Sequence, residues 1–264
     1  YLDNITDSII FKTPGLRADV PQLENARKRG AVITSEMETF FEICPAHIIA
    51  VTGSDGKTTT TTLIHKMMTM AGYKTWLGGN IGNPLLADTD KMTENDWVIL
   101  ELSSFQLHTM KKSPEIGVIT NLSPNHLDWH KSYEEYIEAK TNIFLHMSRE
   151  NVIVLNADNR DCAALLPLAH EKVRMFSRTK KAEIWLDDDT IYRGNEPVLN
   201  IHDIKIPGMH NVENYMAAIA AVEGLVSDDV IRSVAKEFGG VEHRIELVRT
   251  LDGVRYYNSS IDSS

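Results

Sequence analysis

The segment Thr52-Gly53-Ser54-Asp55-Gly56-Lys57-Thr58 directly follows the apolar run His47-Ile48-Ile49-Ala50-Val51. A buried strand that enters a glycine-rich turn and then a helix aims backbone N–H groups and a helix N-terminus at a phosphate chain. Lys57 has the reach for terminal phosphates, and the Thr58 hydroxyl suits Mg²⁺. Gly53, Ser54, Asp55, Gly56, Lys57, Thr58 and Thr59 are thus the candidate nucleotide-binding residues, with a nucleoside triphosphate as the expected ligand. The full GxxxxGK[ST] pattern would have glycine at Val51. An ordinary surface turn is the plain alternative. Against it, the strand, both glycines, the Lys-Thr pair and the helix agree.

Four further clusters stand where strands should end. The loop Gly78-Gly79-Asn80-Ile81-Gly82-Asn83-Pro84 can bring backbone close to a ligand or be merely flexible. Glu101, in Glu101-Leu102-Ser103-Ser104-Phe105-Gln106-Leu107, follows a buried strand. A carboxylate there needs compensation, which Mg²⁺ beside a triphosphate would supply. The alternative for this cluster is a helix cap at Ser103 or Ser104. The run Asn121-Leu122-Ser123-Pro124-Asn125-His126-Leu127-Asp128-Trp129-His130 offers His126, Asp128 and His130 for zinc, without a strong spacing motif. At Pro207-Gly208-Met209-His210-Asn211-Val212-Glu213-Asn214, the two asparagines share a helix face. Their amides match a purine edge in donors and acceptors, or Asn211 simply caps the helix.

Lys140 lies in phase with Tyr133, Tyr136, Ile137, Phe144 and Met147 on one apolar helix face. Burial would lower its pKa. A packed stem with a snorkelling amine explains the phase equally well.

These residues require an alternating scaffold. Strands are expected at 47–52, 74–77, 97–102, 116–121, 151–155 and 173–176, and helices at 58–71, 132–148, 159–169, 210–225 and 228–237. Such alternation makes a mostly parallel sheet with helices on both faces, an α/β fold whose ligands sit beyond the strands' carboxyl ends. Residues 183–206 read as hairpins. Residues 1–46 read as an α/β fragment, with a strand at Ile9-Ile10-Phe11, a helix at 22–29 and a strand at 31–34. A new unit begins near residue 241, with strands on either side of Asp252-Gly253. The sequence begins without Met and stops at Ser264, so it reads as part of a longer chain.

Hydrophobic residues make up 42% and charged residues 24% of the 264, which is ordinary for a globular protein. No membrane span and no leader sequence is expected. Two cysteines, Cys44 and Cys162, make no disulfide framework and fit a cytoplasmic setting. A net charge of −10 argues against nucleic acid as a partner but not against a nucleotide, whose site needs only local donors.

Taken in order, the motifs resemble the Mur ligase family over essentially the whole chain. The resemblance implies a P-loop NTPase-like central domain at 47–240, the tail of an N-terminal UDP-substrate-binding domain at 1–46, and the start of a C-terminal amino-acid-binding domain at 241–264. It implies an ATP-dependent, ADP-forming amide ligase of peptidoglycan precursor synthesis. The Gly79-Asn80-Ile81-Gly82 loop and the Glu101–Leu107 run favour the member that joins D-glutamate to UDP-N-acetylmuramoyl-L-alanine. A monomer acting in the cytoplasm is expected.

By the same resemblance Lys57, His126 and Lys140 are catalytic, and Thr58, Glu101, His126 and Lys140 surround Mg²⁺, with Lys140 carbamylated by CO₂. Asn80 and Ser103 face the muramoyl substrate or the metals, Asn211 and Asn214 meet adenine, and Arg244 reaches the nucleotide. A histidine among the metal ligands predicts tolerance of Mn²⁺. Asn258-Ser259-Ser260-Ile261-Asp262-Ser263-Ser264 departs from the Asp and Lys that many members carry there. The competing readings are a sister ligase or a folylpolyglutamate synthase-like enzyme, a P-loop kinase or NTPase without amide synthesis, and a nucleotide-binding scaffold.

Overall fold

The computed structural model describes residues 2, 5–241, 246–252 and 254–258. The chain opens with β1 (Ile9–Phe11), α1 (Pro21–Lys28), β2 (Val32–Thr34) and α2 (Glu36–Ile43). β1 and β2 pair in parallel as a separate two-stranded sheet. Helix α2 was not evident from periodicity, although Ser35 caps it by accepting from the Glu38 N–H at 3.2 Å.

The central unit begins with β3 (His47–Thr52), α3 (Lys57–Met70), β4 (Thr75–Gly79), β5 (Trp97–Glu101), α4 (Ser104–Leu107) and β6 (Ile116–Ile119). It continues with α5 (Tyr133–Thr141), β7 (Val152–Asn156), α6 (Arg160–Ala163), β8 (Lys172–Ser177), β9 (Ile184–Asp187), β10 (Thr190–Arg193) and β11 (Glu196–Asn200). Helices α7 (Met209–Ala221) and α8 (Asp228–Glu237) close it, and an antiparallel pair follows, β12 (Glu246–Leu251) and β13 (Val254–Asn258).

One nine-stranded sheet organises this unit, in the order β11-β10-β9-β8-β7-β6-β3-β5-β4. It is parallel from β4 to β9. The last two strands run antiparallel, as the hairpin signals around residues 183–206 imply. The chain leaves β3 for β4, returns through β5, and crosses β3 to reach β6. The carboxyl end of β3 therefore lies at the switch of strand order, where doubly wound sheets hold ligands.

Both faces of the sheet are covered, so its strands read as continuous apolar runs. Side chains alternate along β3: Ile49 and Val51 pack with Leu63 and Met67 of α3 and with α7, whereas Ile48 and Ala50 pack with Phe40, Tyr136 and Phe144. α3 and α5 thus dock on opposite faces while both reach the same sheet edge. Among the described residues no helix is long and apolar enough to cross a membrane. Cys44 and Cys162 are both free thiols.

Three expected helices are shorter than their periodicity implied, the one expected over 210–225 ending at Ala221. The helix expected over 132–148 ends at Thr141, after which Ile143 and Phe144 donate to carbonyls three residues back. Asn142 there turns its amide to Leu107 O at 2.9 Å, and Ser113 donates to Asn142 O at 2.9 Å. These cross-links to the neighbouring chain replace the helical ladder, yet Phe144 remains buried. The helix expected over 159–169 breaks after Ala163 and resumes as a short 3-10 turn around Pro167.

A strap joins the first unit to the central one. Arg17 donates to Glu135 at 2.7 Å, to Asp19 at 2.9 Å and to Trp129 O at 2.9 Å, with its guanidinium 4.8 Å from the Trp129 ring centre. Trp129 donates from its indole to Gly15 O at 2.7 Å, and Lys131 donates to Asp19 at 2.6 Å. The Arg17 bond holds Asp19 well below the usual carboxylate range and brings Glu135 down to about 2. Carboxylates with lowered folded-state pKa values contribute stability above their unfolded pKa, near ~4, and lose it as pH falls toward the folded value. Unfolding temperature should therefore drop on acidification from about pH 4.5 toward 2, and Arg17→Ala should flatten that part of the profile. Thermal unfolding at stepped pH checks this; an unchanged profile in the variant would mean the strap contributes nothing to the acid response.

Candidate functional site

The turn between β3 and α3 is shaped by glycine. Gly56 caps α3 at φ 76°, and a Cβ there would collide with Asn214 Oδ1. Gly79 ends β4 at φ 94°, where a Cβ would strike Glu101 O. A side chain at left-handed φ costs about 1–2 kcal/mol before any collision is counted. Gly56→Ala is thus expected to lower the unfolding midpoint by several degrees, on the order of 2–4 °C per kcal/mol for a chain near this size. Calorimetry reads this directly, and an unchanged midpoint would show that α7 and the turn yield freely.

Thr60 N–H makes the first α-helical bond, to Gly56 O at 2.9 Å. The N–H groups of Lys57, Thr58 and Thr59 precede it, in the first turn of α3, where a helix offers donors to anions. Lys57 Nζ donates to Ser54 O at 2.8 Å, folded back over its own loop. Ser54 is engaged throughout: its N–H donates to Asn121 O at 2.9 Å, and its hydroxyl lies 2.9 Å from the Tyr136 hydroxyl and 3.0 Å from Ser123 O. Asp55 N–H donates to Asn121 Oδ1 at 2.9 Å, and Thr120 Oγ1 donates to Asp55 O at 2.6 Å. The loop is pinned from β6 and α5 rather than left mobile. Thr120, Asn121 and Tyr136, which do the pinning, were not singled out for that role by the sequence.

Glu101 is 1% exposed at the end of β5. Thr58 Oγ1 donates to its Oε2 at 2.6 Å, and Asn80 Nδ2 donates to its Oε1 at 2.8 Å. One carboxylate thus joins α3, β5 and the residue after β4. Both of its oxygens accept from neutral donors, so a buried carboxyl group sits with a hydroxyl at the edge of the phosphate-type loop. Oxygen donors of this kind fit Mg²⁺.

Lys140 is 2% exposed. Its Nζ donates to Gly53 O at 2.8 Å and Thr52 Oγ1 at 3.1 Å, 4.8 Å from the Tyr136 ring centre. It does not snorkel to solvent. Burial holds its amine well below the usual lysine range, and the Lys57 charge pushes the same way, against an opposing effect of Glu101.

His126 adopts φ 53° in an exposed loop, its ring 4.9 Å from that of Phe105. Partial desolvation lowers its pKa, with the charges of Lys140 and Lys57 acting the same way against Asp128. His130 turns inward to Ser104 Oγ at 2.9 Å, and burial pushes it down to about 4. Among the described residues no three of His, Cys, Asp and Glu converge to hold a metal. The zinc reading of His126, Asp128 and His130 is therefore corrected: both histidine rings pack against Phe105, but His130 is buried on Ser104 while His126 and Asp128 stay exposed.

Ser103 caps α4 in a reciprocal box with Gln106, the plain alternative read from its sequence. Asn211 and Asn214 are 6% exposed. Asn214 donates to Asn211 Oδ1 at 3.1 Å and accepts from Thr60 at 3.3 Å, while Asn211 donates to Pro207 O at 2.6 Å. Gly208, not Asn211, caps α7. The two amides bind α7 to the start of α3, beside Gly56. Arg244 and residues 259–264 lie outside the described residues.

The fold is an α/β domain with a mostly parallel sheet and a glycine-rich turn that runs from a strand into a helix. Residues 51–222 match the Mur ligase middle domain, and the chain belongs to the Mur ligase family. It is 55% identical, over its whole length, to the UDP-N-acetylmuramoylalanine–D-glutamate ligase of Acetivibrio thermocellus, covering 58% of that protein. It is 53% identical over 97% of its length to the enzyme of the same name from Clostridium acetobutylicum, covering 56% of it. The chain thus spans somewhat over half the length of these relatives. Among solved structures, MurF from Acinetobacter baumannii superposes with a TM-score of 0.71 at 15% identity, over 97% of this chain and 65% of that one. The UDP-N-acetylmuramate-alanine ligase MurC from Thermotoga maritima gives 0.66 at 22% identity, over 97% and 61%. E. coli FolC in complex with DHPP and ADP gives 0.60 at 18%, over 81% and 62%. These likenesses carry the fold.

Proposed function

We propose that the chain is the ATP-binding part of a ligase that joins D-glutamate to UDP-N-acetylmuramoyl-L-alanine, forming ADP and phosphate in the cytoplasm. The observation that carries the reading is the convergence of Lys57, Thr58, Glu101, Asn80 and buried Lys140 at the carboxyl edge of β3, β4 and β5. The choice of D-glutamate is supported by relatives at 55% and 53% identity that bear that ligase's name. In this reading residues 1–46 belong to a UDP-substrate-binding domain, 47–240 form the ATP-binding domain, and 241–264 begin a domain for the amino acid. The enzyme acts as a monomer, without nucleic acid or membrane.

The first-turn N–H groups of α3 bind the phosphates, and Lys57 exchanges Ser54 O for a terminal phosphate oxygen. The substrate carboxylate attacks the γ-phosphorus, giving an acyl phosphate and ADP. The D-glutamate amine then attacks the acyl carbon, and the tetrahedral adduct expels phosphate. Thr58, Glu101, His126 and carbamylated Lys140 would hold Mg²⁺ or Mn²⁺, which would supply positive charge to neutralise the phosphates. Asn80 keeps Glu101 oriented, and Asn80 and Ser103 border the muramoyl substrate. Asn211 and Asn214 flank the adenine, and Arg244 approaches the nucleotide from the third domain.

Lys140 serves in this reading as a carbamate. Its neutral amine adds to the carbon of CO₂: an N–C bond forms, one C=O π bond opens onto its oxygen, and the nitrogen loses a proton to solvent. The product carries a carboxylate where an ammonium would repel both metal and Lys57.

The test is ADP release by the intact protein with ATP, Mg²⁺ and UDP-N-acetylmuramoyl-L-alanine, across single amino acids. Release only with D-glutamate is expected. Release with another amino acid would move the reading to a sister ligase, and release indifferent to amino acid would favour a plain NTPase.

A further inference from the structure

A cavity of about 430 Å³ lies between the β1–α2 unit and the central unit, and none of its lining residues belongs to the site described above. Lys12, Arg27 and Glu38 approach from one side, and His108, Thr109 and Lys111 from the other. Three of these residues carry buried polar atoms with no hydrogen-bond partner among the described residues: Glu38 Oε2, His108 Nδ1 and Thr109 Oγ1. Lys12 is 6% exposed, and its ammonium has no hydrogen bond or ion pair among the described residues. Burial lowers its pKa, and the Glu38 charge opposes the shift.

Buried polar groups in folded proteins are nearly always satisfied. Unsatisfied atoms from α2 and from the segment after α4, gathered with a buried lysine around one void, mark a space that takes polar contents. The volume exceeds that of one ordered water, about 30 Å³ in the liquid, by an order of magnitude. It falls in the range of small-molecule sites. The wall is also charged in a defined way. Buried Lys12 and exposed Arg27 and Lys111 are three cations, against the single carboxylate of Glu38.

We propose that this cavity binds a small acidic amino acid. One carboxylate meets the Lys12 ammonium and the Thr109 hydroxyl, the α-ammonium meets Glu38 Oε2, and the second carboxylate faces Arg27 and Lys111 at the rim. A simple inorganic anion would leave Glu38 Oε2 unpaired and place like charges together.

The position gives the site a means of regulation. Asn142 and His146, also in the wall, follow the helix that carries Lys140. His108 follows α4, and its Nε2 lies 3.5 Å from Glu135 Oε1, the carboxylate gripped by Arg17. A ligand here touches the far ends of α4 and α5 and the strap between the two units. It would stiffen the scaffold under Lys140 without entering the phosphate site.

The proposal does not depend on the ligase reading, because its test reads binding rather than turnover. L-Glutamate, L-alanine and sulfate are titrated separately into the isotope-labelled chain and followed by amide and side-chain NMR. L-Glutamate is expected to shift Glu38, His108, Thr109 and Asn142 and to saturate, with L-alanine weaker. Glu38→Gln and Thr109→Val should each weaken L-glutamate by about tenfold or more, the scale of a lost hydrogen bond to a charged group. ATP affinity should stay unchanged in both variants. No saturable shift at these residues, shifts confined to residues 53–59, or equal response to sulfate and L-glutamate that survives Glu38→Gln would each overturn the proposal.

Discussion

Lys57→Ala is expected to reduce turnover of the intact protein in the proposed reaction by at least about a hundredfold, the scale seen when a single charge-stabilising donor is removed. Phosphoryl transfer is mostly positioning and charge neutralisation. Lys57 has no part in the apolar core, and it donates to Ser54 O within its own loop. The loop should survive its loss, because Asn121, Thr120, Ser123 and Tyr136 hold it independently. Steady-state kinetics with matched unfolding curves check both halves of the expectation. A variant that folds normally and turns over at a near-normal rate would remove Lys57 from the chemistry.

Lys140→Ala is expected to leave almost no activity, with partial recovery on adding short carboxylates. The amine is 2% exposed and bonded to Gly53 O, so truncation removes a contact to the phosphate loop as well as any carbamate. Packing alone predicts a different outcome: lost stability, and no rescue by formate or acetate. ¹³CO₂ labelling separates the two, since a carbamate carbon signal should appear in the parent protein and vanish in Lys140→Ala. No signal and no rescue together would return Lys140 to a structural role.

Much of the scaffold was legible because the two periodicities differ. Continuous apolar runs gave β3, β5, β6 and β7 to within a residue or two, since strands buried on both faces need no alternation. The phase of Lys140 with Tyr136 and Phe144 likewise anticipated a buried face, and all three are buried. What stayed hidden depends on contacts distant in sequence. Arg17 grips Glu135 and Trp129 across more than a hundred residues, and neither end carries a local signal for the other. Ser54 looked like a phosphate ligand by position, yet its hydroxyl is spent on Ser123 and Tyr136. Asn211 and Asn214 share a face as their spacing required, and that face is turned to α3. The ends of α5 and α6 were misjudged because side-chain bonds and Pro167 stop them where apolar phase alone continues.

The central claim, that ATP activates a carboxylate for amide formation, is tested most directly by isotope transfer. UDP-N-acetylmuramoyl-L-alanine labelled with ¹⁸O in its carboxylate is turned over with ATP, Mg²⁺ and D-glutamate by the intact protein, and the released phosphate is analysed by mass. Attack of the carboxylate on the γ-phosphorus, then expulsion of phosphate by the amine, moves one labelled oxygen into each phosphate. The account predicts that label, in step with amide product. Phosphate without ¹⁸O would mean that water, not the carboxylate, takes the γ-phosphoryl group, and would contradict the ligase reading of this site.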